Sequence, residues 1–160
     1  MFYPGAVMSE VDTNLLSAPY TLEYTYTRTT GPVIGRFLTS LRAGKIEGVK
    51  TQAGRVLVPP LEYDPETGEA TTDFVEVGQS GTVKTWSWIA EPRRGQPLDR
   101  PFAWALIQLD GADTALLHAV DAGSSERMKT GMRVKVRWAA EKSGRIQDIA
   151  CFLPEEEAAK

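Results

Sequence analysis

The stretch GTVKTWSWIAEPRRGQPLDRPFAWALIQLDGADTALLHAVDAGSSERMKTGMRVKVRWAAEKSGRIQDIACF, residues 81–152, decides the fold. It contains five runs of apolar and β-branched residues, at 82–89, 102–109, 114–120, 132–139 and 145–152, each bounded by Gly, Pro, Asp or Ser, which is the pattern of short strands. Asp110-Gly111 between the second and third runs is a strong hairpin signal. In the fourth run Met132, Val134, Val136 and Trp138 alternate with Arg133, Lys135 and Arg137, so one strand face is buried and the other carries three cations. Residues 121–131 separate the third and fourth runs, and Ser124, Ser125 and Glu126 followed by Gly131 predict a short helix there. Five strands with a helix before the fourth describe an OB barrel, so the fold class is mainly β.

Outward from this barrel toward the N-terminus, residues 78–80 lead in and residues 20–77 read as an attached layer. Residues 20–28 alternate Tyr20, Leu22, Tyr24 and Tyr26 with polar positions, the period of a strand whose tyrosine row needs a surface to cover it. Ile34, Phe37, Leu38 and Leu41 then recur at helical spacing, up to Gly44. Two short β-prone pieces, 46–51 and 55–58, flank a turn at Gln52, Ala53 and Gly54, and Pro59-Pro60 ends the second. Residues 61–72 form an acidic loop before strand character returns at 73–77. The loop 90–101 is stiffened by three prolines and carries Arg93, Arg94 and Arg100. Residues 1–19 show no sustained period and read as a flexible arm, and residues 155–160 as an acidic, solubilising tail.

Composition narrows the function classes. Of 160 residues 42% are hydrophobic and 24% charged, which allows an ordinary core. No apolar run approaches the roughly 18 residues of a membrane span and no signal-like leader is seen, so a cytoplasmic protein is expected. A net charge of −3 supplies no general attraction to polyanions. One cysteine, Cys151, excludes an internal disulfide and an all-thiolate metal site. Cys151 with His118 is the one pair able to act as nucleophile and base. Both fall inside predicted strands, however, with no turn to expose the sulfur, and core packing is the plainer reading. Glu62, Asp64, Glu66 and Glu69 lack the spacing of a calcium loop and read as a solvated face. Trp86 and Trp88 fall on the side of the first barrel strand that bears Lys84. That side suits a protein partner, or, as the alternative, a single-stranded nucleic acid stacked on the rings.

Taken together, LRAGKIEG (41–48), AGRVLVPP (53–60), GTVKTWSWI (81–89), PFAWALIQLDGADTALLHAVD (101–121), GMRVKVRW (131–138) and CFLP (151–154) resemble the acyl-CoA-associated OB-fold family. Its members carry an N-terminal helix, a rubredoxin-like zinc ribbon and a C-terminal OB barrel. The four positions that correspond to the family's ribbon cysteines are here Lys50, Ala53, Asp64 and Thr67, a set that cannot make the tetrahedral thiolate site zinc prefers. The resemblance therefore implies a degenerate ribbon holding no metal and no catalytic residue. It implies an accessory subunit, in a heterotetramer with a thiolase-like partner, for lipid or steroid degradation through acyl-CoA thioesters, with coenzyme A thioester as the substrate of the complex. On that reading Tyr24, Tyr26, Pro59, Pro60, Trp86 and Trp88 meet the partner. Arg93, Arg94 and Arg100 contact coenzyme A phosphates, or else stay solvated in their loop.

Overall fold

The computed structural model describes residues 20–156; the expected arm at 1–19 and the tail residues 157–160 lie outside them. Helix α1 (Gly31–Arg42) buries Val33, Phe37 and Leu41, one face at i, i+4, i+8. It is followed by the short strands β1 (Glu47–Lys50), β2 (Val56–Leu57) and β3 (Asp73–Glu76), arranged β2-β1-β3 with both pairs antiparallel. Five further strands, β4 (Ser80–Ile89), β5 (Phe102–Leu109), β6 (Ala115–Val120), β7 (Arg133–Trp138) and β8 (Ile149–Pro154), close a barrel in the order β4-β5-β6-β8-β7. β7 returns to β4 to complete it.

The barrel core is continuous with the N-terminal layer. Phe37 and Leu41 of α1, together with Ile46, Val58 and Val77, join Val83, Ile107, Val134 and Phe152 in one buried cluster. A second small cluster, Val33 with Val49 and Leu57, seats the helix on the three-stranded sheet. Ion pairing fixes its orientation: Arg36 donates to Glu47 from Nε (3.3 Å) and Nη2 (3.0 Å), Ser40 donates to the same carboxylate, and the guanidinium lies 4.1 Å from the Phe74 ring centroid. The Arg36 guanidinium holds the Glu47 carboxyl below the usual carboxylate range.

The ribbon-like layer is also tied to the barrel through the β5–β6 turn. Val56 N donates to Asp113 Oδ2 (2.7 Å) and Asp113 N to Val56 O (2.8 Å). Val58 N donates to Thr114 Oγ1 (2.7 Å), whose hydroxyl donates to Val58 O (2.9 Å). The free edge of β2 is thus paired by the barrel, which removes an exposed strand edge. The turn needs Gly111 at φ +90°, a left-handed conformation that glycine adopts without a Cβ penalty.

Several expectations are corrected. Residues 20–28 form no strand: the backbone is irregular, and Tyr20, Tyr24 and Tyr26 are 84%, 75% and 84% exposed, because none of the described strands pairs with the segment. The helix expected within 121–131 is a single 3-10 turn, Ser125–Arg127. The last strand begins at Ile149, not at 145, because Asp148 captures the preceding loop. Its carboxylate accepts the amides of Ser143 (2.9 Å), Gly144 (2.7 Å) and Arg145 (3.2 Å) and turns Ile146–Asp148 into a 3-10 turn. Burial pushes the Asp148 carboxyl up, and those amides more than offset it, so it lies below its ordinary range.

Candidate functional site

Barrel registers decide which side chains reach the surface. A bulge between Val83 and Thr85 of β4 absorbs Lys84, since Val83 pairs with Ile107 and Thr85 with Leu106. Beyond a bulge the alternation of faces reverses. Trp86 and Trp88 are consequently half-buried against the barrel core while Lys84 is exposed, and the row of Lys84, Trp86 and Trp88 read from simple alternation does not exist.

The outer face of β5 and β6 is the prominent apolar surface of the barrel. On β5, Ala103, Ala105, Ile107 and Leu109 belong to the core, leaving Phe102, Trp104, Leu106 and Gln108 on the other side. The loop 90–101 folds over part of this face through Leu98, which packs with Phe102, Ala119 and Cys151. Leu106 lies opposite Leu117 in the ladder, and the two are 37% and 56% exposed. Beside them a groove of about 610 Å³ runs between residues 95–98 of that loop and the β7–β8 connection, with Trp104, Leu117, His118, Ile146 and Ile149 among its walls. This is the position of ligand grooves in OB barrels, bordered by the second and third strands and by the loops after the first and fourth. Sequence patterning missed it because FAWALIQL is apolar on both faces, so no alternation marks the outward side.

The single histidine and cysteine form no catalytic pair. Cys151 is fully buried in the outer cluster, where burial pushes its thiol up to about 11, with Arg137 and Arg100 pulling the other way. His118 faces inward instead, its ring edge-on to Phe152 at 5.6 Å between centroids. It is 5% exposed, and its Nδ1 has no hydrogen-bond partner. Burial pushes the imidazole below its ordinary range, opposed by backbone groups of Ala119 and Ile146.

At the ribbon, Lys50, Ala53 and Thr67 are exposed and Asp64 is buried, a correction to the solvated loop expected at 61–72. Asp64 serves as a turn former: Oδ1 accepts Glu66 N (2.9 Å), its amide donates to Glu69 O (2.8 Å) and its carbonyl receives Gly68 N (2.8 Å). Arg55 pairs with Glu66 and so links the two turns. Asp64 and Lys50 line one hollow of about 210 Å³. Among the described residues no three His, Cys, Asp or Glu side chains cluster as metal ligands. Pro59, after a cis bond from Val58, is exposed, and Pro60 is buried.

The arginines separate. Arg100 pairs with Asp121, which also lies 3.7 Å from Arg137. Arg93 and Arg94 are exposed, and no described acid pairs with their guanidinium groups. Of the three cations on β7, Arg133 is committed to Asp110 (2.7 and 2.6 Å) and to Glu155 (3.2 Å). Glu155 is thereby a structural residue, half-buried, where a solvated tail was expected.

Comparison with known proteins bears on these surfaces. Residues 74–139 match the family described as ChsH2, C-terminal OB-fold domain. A DUF35 domain-containing scaffold protein of Pyrococcus furiosus is 27% identical over 92 residues, 58% of this chain and 67% of that protein. A DUF35-family protein of unknown function from Sulfolobus solfataricus superposes with a TM-score of 0.54 at 26% identity, covering 67% of this chain and 78% of the other. A chain of a solved Ltp2-ChsH2(DUF35) aldolase superposes with a TM-score of 0.57 at 19% identity, covering 74% and 91%.

Proposed function

We propose that this chain, whose residues 74–139 match the ChsH2 C-terminal OB-fold domain and which is similar to DUF35-family proteins, is a non-catalytic subunit that stabilises and completes a thiolase-superfamily enzyme acting on acyl-CoA thioesters. The observation that carries the reading is the contrast between abundant exposed apolar surface and buried, separated chemistry. Tyr20, Tyr24, Tyr26, Leu61, Tyr63, Leu106 and Leu117 stand exposed, whereas Cys151 and His118 are enclosed on opposite sides of the barrel wall. Exposed apolar patches of this kind usually mark interfaces. Two likenesses support it: one relative is described as a scaffold protein, and a chain of the same fold belongs to an aldolase.

In this proposal the segment around Tyr24 and Tyr26, together with Pro59, provides partner contacts. Trp86 and Trp88 contribute the parts of their rings left outside the core. Arg93 and Arg94 are free to meet coenzyme A phosphates at a shared interface, while Arg100 is engaged by Asp121. The ribbon works without zinc, held by the Asp64 turn and by its attachment to the barrel. Carbon–carbon cleavage or formation, the steroid or lipid acyl chain, a heterotetramer and a cytoplasmic setting belong to the same proposal. The alternative, single-stranded nucleic-acid binding, requires aromatics interleaved with cations on the β5–β6 face. That face presents Leu106, Leu117 and Gln108 beside a single Trp104.

Co-expression with thiolase-superfamily candidates encoded beside this gene, followed by size-exclusion chromatography and an acyl-CoA cleavage assay, tests the reading. Co-elution with activity that depends on this chain is expected. Separate elution with a fully active partner alone overturns it.

A further inference from the structure

We propose that the open edge of β3 receives residues 20–27 of a second copy of this chain as an added strand, the two copies exchanging their segments across a two-fold axis. The reason lies in the two edges of the N-terminal sheet. Val77 N donates to Ile46 O (2.9 Å), so in the register of β3 with β1, where Val75 faces Gly48 and Asp73 faces Lys50, the backbone groups of Asp73, Val75 and Val77 point toward β1. Those of Phe74 and Glu76 point the other way. On the opposite edge the bond from Thr51 N to Arg55 O (2.8 Å) turns Val56 and Val58 outward, and there Asp113 and Thr114 of the barrel bond the N–H and C=O of both. β3 has no such cover. It ends its sheet, and among the described residues no hydrogen bond reaches the outward N–H or C=O of Phe74 or Glu76. Such an edge is a template for another strand.

The occupant is argued from the chain itself. Residues 20–27 alternate as a strand does, with Tyr20, Leu22, Tyr24 and Tyr26 exposed, and none of the described strands of their own copy lies beside them. They also leave the fold close to the open edge. Gly31, the first residue of α1, leaves no room for a Cβ beside the Glu62 carboxylate, and Glu62 O accepts Thr71 N (3.0 Å), two residues before β3 begins. Only Arg28, Thr29 and Thr30 separate the segment from α1. So short a hinge leaves little slack for turning back beside the chain's own β3, and short hinges favour exchange between copies. Pairing of β3 with β3 of the second copy is disfavoured, because it brings Asp73 and Glu76 against their like. Residues 20–27 carry one charge, Glu23, and bring aromatic side chains beside the half-buried Phe74 and Val75. The exchange is isologous and closed, so both open edges are filled at once. It consumes backbone groups, leaves one side-chain face of the segment for an enzyme partner, and does not rest on the subunit reading.

The test uses the full 160-residue chain without any partner. Light scattering behind size-exclusion chromatography is expected to give the dimer mass at high concentration and the monomer mass on dilution. In the dimer the Phe74 and Glu76 amides should exchange on the order of tenfold more slowly than in the monomer, whereas Val75, which already faces β1, changes little. A spin label on Thr27→Cys of one copy should broaden those two amides of an isotope-labelled second copy in the mixture; Cys151 is buried and takes no label. The double variant Tyr24→Pro/Thr25→Pro removes two N–H donors from an exposed segment, so the chain is expected to fold as before and to stay monomeric. A monomer at every concentration with Phe74 and Glu76 unprotected would overturn the proposal. So would protection that is independent of concentration, which places the strand in its own chain, or a dimer that survives the two prolines. Because no enzyme partner is present, failure here leaves the subunit reading untouched.

Discussion

Burial treats the two reactive side chains of this protein in opposite directions, and both effects are measurable. Cys151, with its thiol pushed up to about 11 and the sulfur enclosed by Leu98, Phe102 and Ala119, has neither thiolate nor access at neutral pH. Ellman's reagent is expected to find no thiol in the native protein at pH 8 and one after denaturation; rapid native reaction would show that the outer cluster opens. His118 is pushed below its ordinary range, so the unfolded chain takes up a proton there at a higher pH than the folded one. Stability therefore falls as pH drops below about 6.5, down to the lowered folded value. Melting temperatures measured between pH 7.5 and 5.5 should decline, and His118→Phe should flatten that decline. An unchanged slope in the variant would mean that other groups carry the effect.

Among the elements, β4 shows how one residue sets the facing of a strand. Lys84 is exposed and makes no contact on which the fold depends, so Lys84→Ala is expected to change stability by less than about 0.5 kcal/mol. Deleting Lys84 removes the bulge but makes Val83 and Thr85 direct neighbours opposite Ile107 and Leu106, so Trp86 and Trp88 keep their core-facing side, and chemical denaturation is expected to show a loss well below that of deleting a large core side chain. A loss as large as that of a core truncation would show that the bulge itself is needed for the pairing of β4 with β5. The attachment of β2 is a second device of this kind. Asp113→Ala removes the carboxylate that receives Val56 N, and amide exchange should accelerate across β1 and β2 with little change in β7 and β8. Uniform acceleration would mean that ribbon and barrel open together.

For the whole molecule, the continuous cluster from Phe37 and Leu41 through Val58 to Phe152 makes helix, ribbon and barrel one body. That packing holds the ribbon-like layer against the barrel. Elemental analysis is expected to find no stoichiometric zinc, and a chelator should leave the melting temperature unchanged; one zinc per chain, lost together with the ribbon fold, would contradict this. The barrel strands were legible because each is a bounded apolar run, and α1 because its face repeats at helical spacing. The β5–β6 outer face was not, since Trp104, Leu106 and Leu117 look the same in sequence whether they point in or out. The tyrosine segment misled for a related reason: alternation is a property of the chain, but a strand exists only where another strand lies beside it.

The sequence by itself determined the order of α1 and the barrel strands and, with one cysteine, the absence of an all-thiolate metal site built by this chain, because these depend on residue type and spacing alone. Only the tertiary structure decided that Lys84 is bulged out, that Asp64 and Glu155 are structural, that Arg100 is taken by Asp121, and that His118 is buried against Phe152. Each of these depends on which groups from distant parts of the chain meet, and a one-residue shift in register is enough to change the answer.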